Sequence, residues 1–104
     1  MKRDQTPLPA ADLKKFLAEH PGWTVVHATG ELQRTIEFPA FLTGISFVQK
    51  IGAIAEAADH HPDLDIRWRK VTARLFTHDA KALTANDVKL AGEVDRLATE
   101  LIGK

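Results

Sequence analysis

The chain has 104 residues, of which 44% are apolar, and 14 basic and 14 acidic residues give a formal net charge of zero. This length predicts one compact domain over residues 1–104, and the balanced charge without a basic patch argues against direct nucleic-acid binding. The absence of cysteine excludes disulfides and thiolate metal sites, and no segment approaches the roughly 20 apolar residues that span a bilayer. We expect a cytoplasmic, non-membrane protein with a loosely ordered start over residues 1–8.

The first part of the chain predicts a helix followed by a hairpin. Segment 10–20 carries apolar residues at helical spacing and ends at a Pro-Gly pair. Segments 23–27 and 31–38 flank a Thr-Gly turn signal, and the second alternates apolar with polar residues. The pattern is typical of two antiparallel strands.

The segment from Pro39 to Ala58 predicts the central helix. Pro39 suits the first turn of a helix, where its missing N–H group costs nothing. Two apolar stripes run along this segment, so more than one side of the helix must be covered. We expect a sheet to cover one side and a second copy of the chain to cover another.

The remaining sequence predicts a second hairpin and a final helix. Segment 64–69 alternates strictly, segment 71–76 follows it, and the hairpin ends at His78. Thr84 opens the last helix, and Asp87 three residues later completes a capping-box pattern. The order α-β-β-α-β-β-α predicts an α+β two-layer domain: a four-stranded, mainly antiparallel sheet with helices packed on one face.

Three of the five histidines are predicted to meet at one place. His60 and His61 follow Glu56 by about one helical turn and directly precede Pro62. Glu56 and His60 are expected on one face, with His61 turning away. A tight hairpin returns His78 to the start of its first strand, beside the other two. Because imidazole, with an ordinary pKa of about 6.5, exchanges protons near neutrality, this cluster predicts acid–base catalysis.

Structural alternatives exist for the same residues. His60 and His61 could merely complement the negative end of a helix dipole, and Asp87 could serve as a cap alone. A zinc site is a further alternative, because imidazole and carboxylate both bind zinc. However, the spacing Glu-x-x-x-His differs from the His-Glu-x-x-His of zinc proteases.

Five other residues receive structural interpretations. His20 and His27 lie outside the cluster and are interpreted as surface or terminus residues. Trp23 and Trp68 are interpreted as core aromatics, with a flat face for a planar ligand as the alternative. Arg34 interrupts the apolar face of its strand and is interpreted as solvated, with a place beside a site that needs a cation as the alternative.

The spacing of these residues is similar to the signature of the pterin-4a-carbinolamine dehydratases. The matching pattern is Glu56-x-x-x-His60-His61-Pro62, five residues, Trp68, nine residues, His78, eight residues and Asp87. The resemblance covers nearly the whole chain. It implies the same α+β fold, dimers or tetramers, no metal or organic cofactor, and conversion of 4a-hydroxytetrahydrobiopterin to quinonoid dihydropterin and water in tetrahydrobiopterin recycling.

The resemblance also implies roles for individual residues. His60, His61 and His78 would transfer protons, without distinction between the acid and the base, and Asp87 would orient or polarise a catalytic histidine. Backbone groups of segments 59–61 and 76–79 would pair with the amide and amine edge of the pterin. The implied substrate-binding residues are Glu56, Asp59, Phe76, Thr77, Asp79 and Trp23.

Three departures from the family pattern bear on substrate preference more than on catalysis. Leu64 stands where many members have an aromatic residue, Arg69 where asparagine is frequent, and Lys81-Ala82 where a small or glycine-containing pair is usual. Two other functions stay open. One is a non-catalytic binding, assembly or transcription-coactivator-like partner, and the other is a dehydratase-like enzyme for another pterin, such as one linked to molybdopterin.

Overall fold

The structure, a computed structural model, describes residues 5–103. The elements in this part of the chain are α1 (Ala10–Glu19), β1 (Thr24–Val25), β2 (Leu32–Glu37), α2 (Phe41–Ala58), β3 (Asp63–Arg67), β4 (Lys70–Leu75) and α3 (Ala85–Ile102). This order confirms the predicted α+β class. Residues 1–4 of the predicted loose start lie outside the described residues, and the Leu8 N–H donates to the Leu83 carbonyl at 2.7 Å.

The four strands form one sheet in the order β1-β2-β4-β3, and every neighbouring pair is antiparallel. Leu32 of β2 lies opposite Leu75 of β4, and Asp63 of β3 lies opposite Arg74. Because β2 and β3 both pair with β4, α2 connects two strands that do not touch. The end of α2 therefore lies near the start of β3 and the end of β4.

One face of the sheet carries the core. Its strands bury alternate apolar residues, Leu32, Ile36, Val71, Ala73 and Leu75, as the period of two requires. Two helices cover this face: α2 contributes Phe47, Ile51 and Ala55, and α3 contributes Leu90, Ala91, Val94, Leu97 and Ala98. Full burial of each large apolar side chain contributes about 1.5–3 kcal/mol. The core thereby fixes α2 and α3 side by side on the sheet.

The central helix begins later than the sequence pattern predicts. Pro39 lies two residues before Phe41, and Ala40 occupies the N-cap position with an extended backbone. The Phe38 N–H donates to the Arg69 carbonyl at 2.8 Å, so sheet pairing continues past the end of β2. The chain then needs Pro39 and Ala40 to turn from the sheet into α2.

The interpretation of Trp68 as a core residue is wrong, whereas that of Trp23 is confirmed. Trp23 is buried, but Trp68 is 70% exposed, with φ +54° in the two-residue turn between Arg67 and Lys70. The alternating pattern simply continues past the end of the strand. The Arg69 guanidinium stacks on the exposed indole, 4.3 Å from the ring centroid.

The interpretation of Arg34 as solvated is also wrong, because its side chain is only 26% exposed and paired with a carboxylate. His20 lies at the C-terminal end of α1, as one of its two interpretations has it, but its ring is partly buried. The His20 ring stacks on Phe16 at 4.4 Å, and its Nδ1 lies 2.7 Å from Oδ2 of Asp95. Arg34 pairs with the other oxygen of Asp95, to which the Trp23 Nε1–H also donates at 2.8 Å. This carboxylate belongs to α3, far along the chain, so no local pattern could reveal it. His27 is exposed, as predicted.

Candidate functional site

A cleft of about 200 Å³ opens where the end of α2, the end of β4 and the start of α3 meet. Its lining residues are Gln5, Asp59, His60, His61, Phe76, Thr77, His78, Asp79 and Asn86. The structure thus brings together the three predicted histidines and four of the six predicted substrate-binding residues. Sequence reasoning missed Gln5, for which the sequence holds no signal, and Asn86, which lies inside the capping-box segment.

The cap of α2 explains how two adjacent histidines take different places. Asp59 adopts the left-handed conformation with φ +52°, and its N–H bonds to the carbonyls of Ala55 and Glu56. The His60 N–H also donates to the Ala55 carbonyl, at 3.1 Å. This cap reverses the chain direction, so the side chain of His60 is only 12% exposed, whereas that of His61 is 56% exposed.

His60 is anchored by a buried carboxylate. Its Nε2 lies 2.6 Å from Oδ1 of Asp87, which is fully buried at the first turn of α3. Oδ2 of Asp87 accepts the Thr84 N–H at 2.9 Å and the Thr77 hydroxyl at 2.7 Å. A carboxylate with these donors is an acceptor toward imidazole, so Nε2 carries the proton and Nδ1 is the basic nitrogen of neutral His60.

The capping box is confirmed, and Asp87 does more than cap. Its side chain receives the Thr84 N–H while the Thr84 hydroxyl receives the Asp87 N–H, which satisfies the first turn of α3. The same carboxylate also holds His60. The partner of His60 is therefore a side chain of the next helix. The alternative in which His60 only complements the dipole of α2 does not account for this contact.

The pairing of Glu56 differs from the prediction. We expected Glu56 and His60 on one helix face, but Oε1 of Glu56 lies 2.8 Å from Nε2 of His61. The left-handed cap takes His60 off that face and returns His61 to it. Glu56 is 81% exposed and does not line the cleft, and its side chain contacts the cleft residue His61.

His78 lies at the open side of the cleft. It belongs to a tight turn over residues 77–82, which Thr77 and Ala82 close through reciprocal backbone hydrogen bonds of 3.2 and 3.4 Å. Its ring meets the ring of Phe76 edge-on, 5.3 Å between centroids. Lys81, one of the departures from the family pattern, takes a left-handed φ of +53° in this turn, where glycine would be unstrained.

Two predicted substrate-binding residues lie differently from expectation. Trp23 does not line the cleft, because its indole is part of the core and its Nε1–H is bonded to Asp95. Thr77 lines the cleft, but its N–H and C=O are both bonded within the 77–82 turn. Its hydroxyl faces Asp87 rather than the opening.

The site offers groups for proton transfer in one small space. One imidazole is held by a buried carboxylate, and two more are exposed at the cleft and can exchange protons with water. Such positioned acids and bases typically accelerate a reaction about 10²- to 10⁴-fold. Within residues 5–103, no group of three His, Asp or Glu side chains is arranged to hold a metal ion. Across the same residues, no helix has the length and apolar character needed to cross a membrane.

Comparison with known proteins gives the same family that the sequence pattern indicates. The family model described as "Pterin 4 alpha carbinolamine dehydratase" matches residues 6–97. A protein of Roseiflexus sp. (strain RS-1), described as "Putative pterin-4-alpha-carbinolamine dehydratase", is 45% identical over 88% of this chain and 97% of its own length. A protein of Mycolicibacterium smegmatis with the same description is 48% identical over 77% of this chain and 83% of its own.

Two solved structures are similar. A transcriptional coactivator/pterin dehydratase from Brucella melitensis has a TM-score of 0.84 and 27% identity, and covers 89% of this chain and 99% of its own. A pterin dehydratase-like protein identified as a RuBisCO assembly factor in the alpha-carboxysome has a TM-score of 0.65 at 20% identity, over 74% of this chain and 89% of its own, and shows the fold alone. The chain therefore belongs to the pterin-4-alpha-carbinolamine dehydratase family.

Proposed function

We propose that this protein dehydrates 4a-hydroxytetrahydrobiopterin to quinonoid dihydropterin and water, by histidine acid–base catalysis, in tetrahydrobiopterin recycling. The observation that carries the proposal is the convergence of His60, His61 and His78 on one cleft, with His60 held by the buried carboxylate of Asp87. Family membership supports a pterin as the substrate. The proposed setting is the cytoplasm, and no metal or organic cofactor takes part.

The reaction needs one proton given and one proton taken. The bond between C4a and the hydroxyl oxygen breaks, and the oxygen leaves as water after it is protonated. The N5–H bond also breaks, and its electron pair forms the N5=C4a double bond. The net change is the loss of one water molecule, so an acid and a base suffice.

His60 is the proposed base. Asp87 holds the proton on Nε2, so Nδ1 is the nitrogen that can accept the N5 proton. The imidazolium that forms lies against a buried carboxylate, which stabilises its charge. The proposed acid is one of the exposed imidazoles, His61 or His78, since both can be reprotonated from water between turnovers.

The walls of the cleft are proposed to bind the pterin. Asp59, Phe76 and Asp79 line it together with the histidines, and Phe76 offers an apolar ring beside polar groups. Planar heterocycles suit such a mixture, because the ring packs on apolar carbon while its polar edge forms hydrogen bonds. Asn86, which is buried at the start of α3, adds a side-chain amide to the lining.

We also propose that the protein forms a homodimer or homotetramer through α2. Phe41 and Leu42 at the start of this helix are 45% and 73% exposed, although a large apolar side chain gains free energy from burial. Light scattering on the wild type should give a multiple of 11.5 kDa, and Leu42→Asp should lower the mass. A wild-type mass of 11.5 kDa, that of one chain, would contradict this assembly.

A partner role is the second candidate. The Brucella melitensis structure is described as a transcriptional coactivator as well as a pterin dehydratase, and the fold also occurs in an assembly factor. A protein with only this role would not need three imidazoles at one cleft. Turnover of the pterin therefore separates the two candidates.

The test is the decay of freshly generated 4a-hydroxytetrahydrobiopterin, followed by absorbance with and without protein. The wild type should accelerate the decay, a variant that carries both His61→Ala and His78→Ala should lose most of the acceleration, and His27→Ala should keep it. His27 is a matched control because it is an exposed histidine that does not line the cleft. No acceleration by folded wild-type protein would reject the proposal for this substrate.

A further inference from the structure

The hydroxyl of Thr77 points into a buried hydrogen-bond network. It lies 2.7 Å from Oδ2 of Asp87 and 2.8 Å from the hydroxyl of Thr84. All three side chains are buried. Thr77 therefore touches the carboxylate that holds His60, while its backbone groups are occupied by the 77–82 turn.

The direction of each hydrogen bond in this network follows from the number of protons available. A threonine hydroxyl has one proton, and the carboxylate of Asp87 can only accept. Thr77 donates its proton to Asp87, so in the contact between the two hydroxyls Thr84 is the donor and Thr77 the acceptor. Thr84 also accepts the Asp87 N–H through its hydroxyl, which completes the capping box. Each of the two hydroxyl protons is used once, and the Asp87 N–H is shared between the hydroxyl and the carbonyl of Thr84.

This order has a consequence for His60. Oδ2 of Asp87 is occupied by the Thr77 hydroxyl and the Thr84 N–H, so Oδ1 is the oxygen presented to His60. The carboxylate cannot rotate without breaking both bonds at Oδ2, and in a buried site unpaired donors are costly. The plane of the carboxylate is thus fixed from the side opposite the histidine.

We propose that Thr77 is a positioning residue that sets the tautomer of His60 through Asp87, rather than a residue that contacts the pterin. It keeps the proton on Nε2 of His60 and leaves Nδ1 to face the reaction. In metal sites, removal of a group that orients a ligand histidine typically costs about 10- to 100-fold in activity, and we expect the lower end of that range here, because Thr77 contacts His60 only through Asp87. The kinetic part of this inference rests on the proposed function, whereas the structural part does not.

The test compares Thr77→Val, which keeps the volume but removes the hydroxyl, with Thr77→Ser, which keeps the hydroxyl. Thr35→Val is the matched control, because Thr35 also bonds a threonine hydroxyl but on the exposed face of the sheet. Histidine ring nitrogens are observed by NMR on protein without substrate, and His60 is assigned from the spectrum of His60→Gln. In Thr77→Val the Nε2–H population of His60 should fall, whereas Thr77→Ser and Thr35→Val should match the wild type.

The dehydration kinetics give the second readout. Thr77→Val should lower kcat about tenfold with KM changed less than about twofold, and Thr77→Ser should restore kcat. If Thr77→Val does not fold, Thr77→Cys replaces it, because a thiol is a weaker donor and should give an intermediate kcat and an intermediate His60 signal. The NMR result does not depend on pterin turnover. Failure of the proposed function can therefore be distinguished from failure of the proposed role of Thr77.

Two results would overturn the inference. An unchanged His60 tautomer in folded Thr77→Val or Thr77→Cys would show that Thr77 does not act through Asp87. A raised KM with an unchanged kcat would show that Thr77 contributes to pterin binding instead.

Discussion

Two aspartates of helix α3, eight residues apart, each pair with a histidine. The two aspartate–histidine distances are similar, but the other hydrogen-bond donors to the two carboxylates differ. Asp87 lies 2.6 Å from His60, and Asp95 lies 2.7 Å from His20. The other donors to Asp87 are a hydroxyl and a backbone N–H, which are neutral. The other donors to Asp95 are the Trp23 indole and the cationic guanidinium of Arg34.

The difference shows what makes such a pair suitable for catalysis. At Asp87 the histidine is the one partner that can become charged, and its ring lines an open cleft beside two more imidazoles. At Asp95 a permanent cation already balances the carboxylate, and the histidine ring is stacked on the core residue Phe16. The first pair is placed to exchange a proton at the cleft in the proposed reaction, whereas the second links the end of α1, Trp23 and β2 to α3.

The largest expected effect is on activity at the first pair. Asp87→Asn should lower kcat about 10³-fold, because an amide can donate to His60 and so favour the wrong tautomer. Asp95→Asn, the matched change, should leave kcat of the folded protein within about threefold. Steady-state dehydration assays, with folding checked by circular dichroism, measure both. Equal losses in the two variants would remove the distinction between the pairs.

The next effect is on stability at the second pair. Asp95→Ala should lower the free energy of unfolding by about 2 kcal/mol, because it removes three side-chain hydrogen bonds and leaves the part-buried Arg34 without its carboxylate. Urea denaturation measures this loss. The control is Asp65→Ala, which breaks the exposed pair with Arg67 and should cost less than about 0.5 kcal/mol. The same loss of stability in both variants would contradict a stabilising role for the contacts of Asp95.

A smaller effect on stability is expected from a substitution that crowds the contact between Arg34 and Asp95. A Cβ atom at Gly22 would lie 2.8 Å from Nε of Arg34, so Gly22→Ala should push the guanidinium from Asp95 and cost about 1 kcal/mol. Gly92→Ala is the control, because nothing lies within 4 Å of its added Cβ and alanine favours a helix by about 1 kcal/mol. The two substitutions should thus shift the urea midpoint in opposite directions. A stabilising Gly22→Ala would mean that Arg34 is not held closely.

The smallest effect is expected at the exposed pair of Glu56 and His61. Both side chains are mostly exposed, and a contact between two exposed polar side chains contributes little to stability. Glu56→Gln should change kcat by less than about threefold, although the residue belongs to the family pattern. A loss of 10²-fold or more in the dehydration assay would show that Glu56 enters the cleft when the pterin binds.

The fold and the centre of the site were predictable because their signals are local. The strict alternation over 64–69 gave a hairpin, and a hairpin necessarily returns His78 to the neighbourhood of His60. The capping pattern of Thr84 and Asp87 marked the start of α3. Each of these signals spans only a few residues, and the regular repeat of a helix or strand then determines where those residues lie.

The predictions failed where the position of a side chain depends on a single backbone angle or on a partner far away in the sequence. The left-handed φ of Asp59 exchanged the expected places of His60 and His61 relative to Glu56, and helical spacing alone cannot indicate a reversal after the last turn. Asp95 meets His20 from 75 residues away along the chain, and only the assembled fold brings the two side chains together. Such contacts depend on the assembled fold rather than on any segment.

The most direct test of the pair formed by His60 and Asp87 is the dehydration of 4a-hydroxytetrahydrobiopterin by His60→Gln and His20→Gln, compared with the wild type under conditions where all three are folded. We expect His60→Gln to lose at least about 10²-fold in kcat and His20→Gln to stay within about threefold of the wild type. An active His60→Gln variant would contradict the claim that the pair with Asp87 carries the chemistry.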